Sequence, residues 1–296
     1  MMKILVTGAS GLIGSTLCKY LTERGQDVEI FDRDAFSFNK KTRNMKALEK
    51  FDCIVHAGAN TDVEICESEP ANCYRDNTLL TEILANGASR GNCKFVYISS
   101  TGVYGNEKCD DPYTEFDAVK PTTHHHNSKW LGECAVRQYC SDFLILRAGW
   151  IFGGSPHNSK NFVARRIEEA ISSAKNQIFS NYRQIGAPTF AGDFVSRLYE
   201  MVIADEVGVF NLVNERTASR FEYVSKIIEL AGIDVEVLPI SPDSFNRKAN
   251  VPDNESAIAL KLTQLGYPKL PEWPDSLKSY IDADLKIWIN QLKNER

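Results

Sequence analysis

The segment Lys3-Ile4-Leu5-Val6-Thr7-Gly8-Ala9-Ser10-Gly11-Leu12-Ile13-Gly14 is an apolar run that breaks into glycines at three-residue spacing. It predicts a short strand ending in a tight turn, where Gly8 and Gly11 let the backbone pass close to a ligand. A helix follows, and its free N–H groups and positive dipole end face an anion. Gly14 lets that helix approach the strand closely. The anion such a turn suits is the pyrophosphate of a dinucleotide. A second strand, Val28-Glu29-Ile30-Phe31, ends in Asp32, about 18 residues past Gly14 and near the spacing of a ribose-binding carboxylate. Asp32 favours NAD by accepting from the ribose 2′-OH, whereas Arg33 directly after it suits a 2′-phosphate. The balance leans to NAD.

The first half of the chain alternates strand and helix. A helix is expected near Asn44–Lys50, a strand over Asp52–His56, a long helix from Pro70 to Gly91, a strand over Lys94–Ile98, a helix from Thr123 to Cys140 and a strand over Phe143–Leu146. Continuous apolar strands alternating with helices predict a parallel sheet covered on both faces, with ligands outside the carboxyl ends of the strands. Past residue 150 the pattern loosens. Helices are expected at 159–175, 191–204, 219–232 and 275–294, and the proline-bearing stretch Leu238–Pro252 reads as irregular. No internal repeat or flexible linker interrupts the pattern, so a second lobe is expected against the first, over the cleft.

The net charge of −5 gives no basic footprint for nucleic acid or anionic lipid. No uncharged apolar run approaches a membrane span, and the opening apolar run is too short for a signal peptide. The eight cysteines contain no C-x-x-C pair. They read as free thiols in a reducing cytoplasm, with no metal site.

The predicted strand ends carry polar residues. Ala57-Gly58-Ala59-Asn60-Thr61 follows one strand, and its small residues admit a flat ring or a ribose near the backbone. Ser99-Ser100-Thr101-Gly102-Val103-Tyr104-Gly105 follows the next, with hydroxyls that either bind a substrate oxygen or satisfy the turn's own backbone. His124, His125 and His126 open the helix that carries Lys129. Successive helical residues point about 100° apart, so three imidazoles cannot converge on one ion. Taken alone they read as a polar helix start with solvated rings. His125 and Lys129 are four apart and share a face, so the cation disfavours imidazolium. His157 reads as a surface loop residue.

Together these residues resemble the extended short-chain dehydrogenases/reductases, and within them the dTDP-4-dehydrorhamnose reductases. The similarity covers nearly the whole chain. It includes Thr7–Gly14, Thr61 through Glu67-Ser68-Glu69-Pro70, Asn77, Arg147–Gly153, Asn161-Phe162 and Gln184-Ile185-Gly186-Ala187-Pro188-Thr189. The last stretch is the most specific to the subfamily. The resemblance implies an α/β fold, a doubly wound parallel Rossmann sheet with a smaller α/β C-terminal substrate lobe. Residues 1–150 and 188–214 would form the first unit, and 151–187 and 215–296 the second. It implies that Gly8, Ser10, Gly11, Leu12, Ile13, Gly14, Asp32, Arg33, Ala57, Gly58, Ala59, Asn77 and Lys129 hold NAD or NADP. Thr61, Thr101, Val103, Trp150, Asn161 and Gln184 would meet a nucleotide-sugar substrate. The family's catalytic hydroxyl falls on Ser100, or on Thr101, and its lysine on Lys129.

Where the family has Tyr-x-x-x-Lys, this chain has His125 before Lys129. Tyr104 and Tyr113 lie too far upstream to fill the place. The family's reaction needs an acid that protonates the carbonyl oxygen as hydride arrives, and a positioned donor contributes about 10²–10⁴ in rate. The family's acidic pair near the adenine is also missing, replaced by Lys40-Lys41-Thr42-Arg43-Asn44-Met45-Lys46. The expected function is a cytoplasmic NAD(P)-dependent oxidoreductase on a nucleotide-linked 4-keto-6-deoxy sugar, in polysaccharide precursor synthesis. In it Ser100 steadies the oxygen, His125 or a water it holds supplies the proton, and Lys129 anchors the ribose. The alternatives are a catalytically impaired regulatory homologue that keeps the cofactor cleft, and a nucleotide-sugar epimerase or dehydratase. A homodimer through helices on the sheet's flank is the family's expectation.

Overall fold

Alternation along the strands builds two cores, one on each face of a sheet. In the computed structural model, residues 1–31, 46–244 and 247–294 are described. The strands in chain order are β1 (Lys3–Thr7), β2 (Asp27–Ile30), β3 (Cys53–His56), β4 (Lys94–Ser100), β5 (Phe143–Ala148), β6 (Trp150–Phe152), β7 (Gln177–Asn181), β8 (Ile185–Gly186), β9 (Pro188–Phe190), β10 (Gly208–Leu212), β11 (Ala218–Ser219) and β12 (Glu236–Ile240). Six of them form a wholly parallel sheet in the order β10-β5-β4-β3-β1-β2. Successive side chains of a strand point to opposite faces. Ile4, Val6, Cys53, Val55, Val96, Leu144 and Leu146 accordingly join one core, with Leu17 and Leu21 of α1 (Leu12–Glu23). Leu5, Ile54, Phe95, Tyr97 and Ile145 join the other, with Leu80, Leu84 and Val136. Each such side chain, fully buried, contributes roughly 1.5–3 kcal/mol.

After α2 (Val63–Ser68) and α3 (Pro70–Tyr74), the chain makes a wider π turn at Arg75–Leu79 before α4 (Leu80–Arg90). The single long helix expected from Pro70 is thus formed without a break, with the π turn inside it. Such π bulges are frequent at functional sites, and this one delivers Asn77 to the cleft region. Then come α5 (His124–Tyr139), α6 (Phe162–Ser172), α7 (Ala191–Ile203) and α8 (Arg220–Ala231). Three C-terminal elements follow: α9 (Leu260–Gln264), α10 (Trp273–Tyr280) and α11 (Lys286–Asn294), the last two joined by a π turn at Ile281–Leu285.

The sheet order reverses between β1 and β3, which opens the crevice where ligands of such sheets bind. A third core gathers Phe152, Ile167, Tyr223, Ile227, Leu277 and Tyr280 from α6, α8, α10 and short paired strands. Ser219 and Glu222 close a reciprocal capping box at the start of α8, and Gly232 ends it in the left-handed conformation.

Two features depart from the sequence expectations. The stretch read as irregular begins as a strand: β12 pairs in parallel with β7, and Pro239 stands opposite Ser180. A two-stranded ladder leaves an outer edge, where a residue without an N–H costs nothing. In addition, Leu262 of α9, inside the 215–296 that the resemblance assigns to the other unit, packs into the core of the main sheet. Asp32, Arg33 and Lys40–Met45 lie outside the described residues, and the helix expected near Asn44–Lys50 is described over 46–48, where the chain is helical.

Candidate active site

The glycine turn is shaped by close backbone contacts. Gly8 has φ +69°, and a Cβ there would sit 2.6 Å from Gly58. A Cβ on Gly14 would sit 2.1 Å from the Gly8 carbonyl oxygen. The first turn of α1 has Gly11 at its cap and no side-chain cap bond, so its N–H groups stay directed at the crevice. These features fit a dinucleotide pyrophosphate. Asn158, between β6 and α6, donates from Nδ2 to the Ser10 carbonyl at 3.2 Å.

A directed chain of hydrogen bonds ties the strand ends together. The Gly58 N–H donates to Thr7 Oγ1 at 3.0 Å, and Thr7 meets His56 Nδ1 at 2.7 Å. His56 Nε2 meets Thr81 Oγ1 at 3.0 Å, and Thr81 donates to the Asn77 carbonyl at 2.6 Å. One set of donor directions satisfies all four bonds, with His56 neutral and protonated at Nε2. Burial, aided by the Lys129 charge, pushes His56 down to about 3, so it stays neutral. Asn77 also clamps the loop after β3: Asn60 N–H donates to its Oδ1 at 2.7 Å, and its Nδ2 donates to the Asn60 carbonyl at 3.0 Å and Ser128 Oγ at 2.9 Å.

Helix α5 carries the central residues. Thr123 caps it by accepting from the His126 N–H at 3.1 Å. Thr123→Ala is expected to lower stability by about 1 kcal/mol, read from the midpoint of a urea transition. The solvated histidines expected from sequence are not what folds. His124 is half-buried against Tyr74 and Glu67, while His125 and His126 are buried. The loop after β3 and the C-terminal segment cover them, which helix spacing alone could not reveal. The His125 and His126 rings meet edge-on with centroids 5.1 Å apart but bond different partners. His125 Nδ1 lies 3.0 Å from the Asn60 carbonyl, and His126 Nε2 lies 3.4 Å from Glu255. Among the described residues no cluster of three metal-ligating groups forms. Burial, then His126 and Lys129, hold His125 well below its ordinary value despite the bond to Asn60.

Lys129 is buried with its ammonium 4.1 Å from the centre of the Tyr97 ring. Burial pulls it down to about 7, opposed by Glu133. One turn further on, Glu133 is fully buried and takes both Nε (2.9 Å) and Nη2 (2.7 Å) of Arg147, with Ser99 Oγ donating at 2.6 Å. Ser100 ends β4 half-buried and accepts from the Gly102 N–H at 3.2 Å, so it does serve the turn's own backbone.

The tyrosines do not replace the missing phenol. Tyr97 OH meets the Lys129 carbonyl at 3.4 Å, Tyr104 OH donates to Asn211 at 2.7 Å, and Tyr113 OH binds the Gly105 carbonyl at 3.3 Å. Of the expected substrate residues, Trp150 and Gln184 meet at Glu255: Trp150 Nε1 donates at 2.8 Å and Gln184 Nε2 at 3.5 Å. Arg220 stacks on the Trp150 ring at 3.4 Å. Thr61 is exposed, whereas Thr101 and Val103 are buried. Asn161 does not face the cleft. It is fully buried, caps α6 through Ala164 N, and donates to Tyr280 OH and the Ser155 carbonyl. Glu133, Arg220 and Glu255 escaped the sequence reading, and Asn60 and His126 were read only as members of their runs. Asn60 contributes a backbone carbonyl, which no side-chain pattern reports.

A wholly parallel doubly wound sheet with a glycine cradle at its switch point defines a Rossmann-type α/β protein. The chain belongs to the family described as the RmlD substrate binding domain, which matches residues 2–285. It is 27% identical to the spore coat polysaccharide biosynthesis protein SpsK of Bacillus subtilis, over 95% of this chain and 97% of that protein. A dTDP-4-dehydrorhamnose reductase from Clostridium acetobutylicum superposes with a TM-score of 0.89 at 28% identity, covering 95% of this chain and 99% of that one. The Bacillus anthracis dTDP-4-dehydrorhamnose reductase, solved in complex with NADP, superposes with a TM-score of 0.89 at 25% identity, with the same coverage.

Proposed function

We propose that this chain is a reductase of a nucleotide-linked 4-keto-6-deoxy sugar, using NADH or NADPH, in polysaccharide precursor synthesis. The family match across residues 2–285 carries this reading. The relatives named dTDP-4-dehydrorhamnose reductase, the NADP complex of one of them and the polysaccharide role in the name of another support it. When bound, the reduced nicotinamide coenzyme supplies hydride to the sugar's carbonyl carbon. The chain's part is to seat the pyrophosphate on the Gly8–Gly14 turn and to line the path beyond it with Ala57, Gly58 and Ala59. Ser100 offers its hydroxyl to the carbonyl oxygen, and Lys129 stands beside the reacting end. Trp150 and Gln184 stand toward the sugar, with Asn77 and Asn161 holding the walls.

A second reading, a homologue that binds coenzyme without turnover, is favoured by His125 at the family's tyrosine position. The test follows NADH and NADPH absorbance with a dTDP-linked 4-keto-6-deoxy sugar, from about pH 5.5 to about pH 8.5, across the ordinary imidazole range. Wild type and His125→Tyr are compared. Turnover by wild type supports the reductase. Coenzyme binding with no turnover in either protein supports the second reading. Asp32 supports NAD and the NADP-bound relative supports NADP, so the ratio of the two affinities decides the coenzyme. Among the described residues no helix is long and apolar enough to cross a membrane. The free cysteines support a cytoplasmic site, and a homodimer is the assembly to look for by light scattering.

A further inference from the structure

We propose that in this chain Lys129, and not His125, is the proton donor for the sugar oxygen, with His125 a neutral positioning residue pinned to the loop after β3. The inference rests on the reductase reading and names the acid of that site. It starts from the atom His125 meets. Nδ1 lies 3.0 Å from the Asn60 carbonyl oxygen, which can only accept. Nδ1 must therefore carry the hydrogen. In a neutral ring Nε2 then holds a lone pair, and an acceptor cannot protonate an alkoxide. The Asn60 carbonyl is itself fixed, because Asn77 holds the Asn60 peptide from both sides. A second proton on the ring is opposed by burial, by His126 and by Lys129.

Lys129 has the opposite character. Among the described residues no acceptor takes its ammonium, which rests on the face of Tyr97. The groups facing it are His56 from β3, Tyr97 from β4, Cys73 from α3, and His125 and Glu133 on its own helix. Glu133 is engaged by Arg147 and Ser99, and His56 is neutral. The ammonium is thus a proton source with little to hold its charge, drawn down to about 7 by burial. In the step, hydride adds to the carbonyl carbon and the C=O π pair moves to oxygen. That oxygen takes a proton from Nζ, leaving a neutral amine that regains its proton from solvent.

The test combines rates with titration of the free protein. The rate of reduction is expected to fall as pH rises through about 7, because the acid form of Lys129 is lost there. His125→Gln, whose amide still donates to Asn60, lowers the rate but keeps that limb. Lys129→Met loses roughly 10²–10⁴-fold, and Lys129→Arg removes the limb along with most of the rate. Histidine ¹⁵N spectra, assigned with His125→Gln, are expected to show His125 neutral and protonated at Nδ1 throughout. Lys129 also leaves a mark on stability. The unfolded chain holds a proton on this lysine that the folded chain gives up between about 7 and its ordinary value of 10.5. Folding stability therefore rises with pH in that window, and Lys129→Met should melt higher than wild type at pH below 7. A limb that instead vanishes in His125→Gln, or an imidazolium at His125 near neutral pH, overturns the assignment. If no sugar nucleotide is reduced, the functional reading fails. The titrations then still judge the assignment, and an ammonium at Lys129 that persists to its ordinary value overturns it.

Discussion

Glu133→Leu is expected to destabilise the protein by about 3–5 kcal/mol, and Glu133→Leu combined with Arg147→Met to recover most of that loss. Glu133 is 0% exposed and Arg147 2%, joined by two parallel hydrogen bonds between α5 and β5. Burial alone would pull the guanidinium down, yet the bonds and charge of Glu133 hold it above its ordinary value. Removing the carboxylate leaves an uncompensated cation in the core, beside the Tyr104 ring at 4.7 Å. Replacing both partners with apolar side chains of similar volume removes the charge and the need to pair it. Urea unfolding of the two single variants and the double variant gives the coupling directly. A double variant that loses as much as the sum of the singles would show that packing volume, not pairing, governs this site. The pair also serves the site, since it pins α5 one turn beyond Lys129.

Gly14→Ala is expected to weaken coenzyme binding roughly tenfold to a hundredfold, the equivalent of about 1–3 kcal/mol of overpacking. The new Cβ, fixed to the α1 backbone, would lie 2.1 Å from the Gly8 carbonyl oxygen, itself a backbone atom of the glycine turn. Neither can turn aside as a flexible side chain would, so the turn or the helix must shift. Gly25→Ala provides the contrast. It has φ +69° but nothing within 4 Å, so it carries backbone strain without a clash and should cost stability while leaving coenzyme affinity intact. Calorimetric titration of both variants with NADH and NADPH tests the idea, and an unchanged affinity in Gly14→Ala would refute the cradle.

Much of this molecule is legible in one dimension. The β1 turn, the alternation of strands and helices and the continuous apolar strands follow from local patterning, because period and glycine placement are properties of consecutive residues. The strand over Glu236–Ile240 was not legible, because Pro239 and the prolines after it read as breakers until a partner on one side only made Pro239 harmless. The histidines were misread for the same reason. Their spacing could say that three rings do not share one ion, but whether each ring meets water or protein depends on a loop and a C-terminal segment far away in sequence.

The sequence by itself determined the sheet, the glycine turn after β1 and the substitution of His125 for the family's tyrosine, since each is written in neighbouring residues. Only the tertiary structure decided what that histidine can do. Its hydrogen position is dictated by a carbonyl 65 residues away, and burial beside Lys129 removes its charge. Protonation depends on surroundings assembled from several elements, and those exist only once the chain has folded.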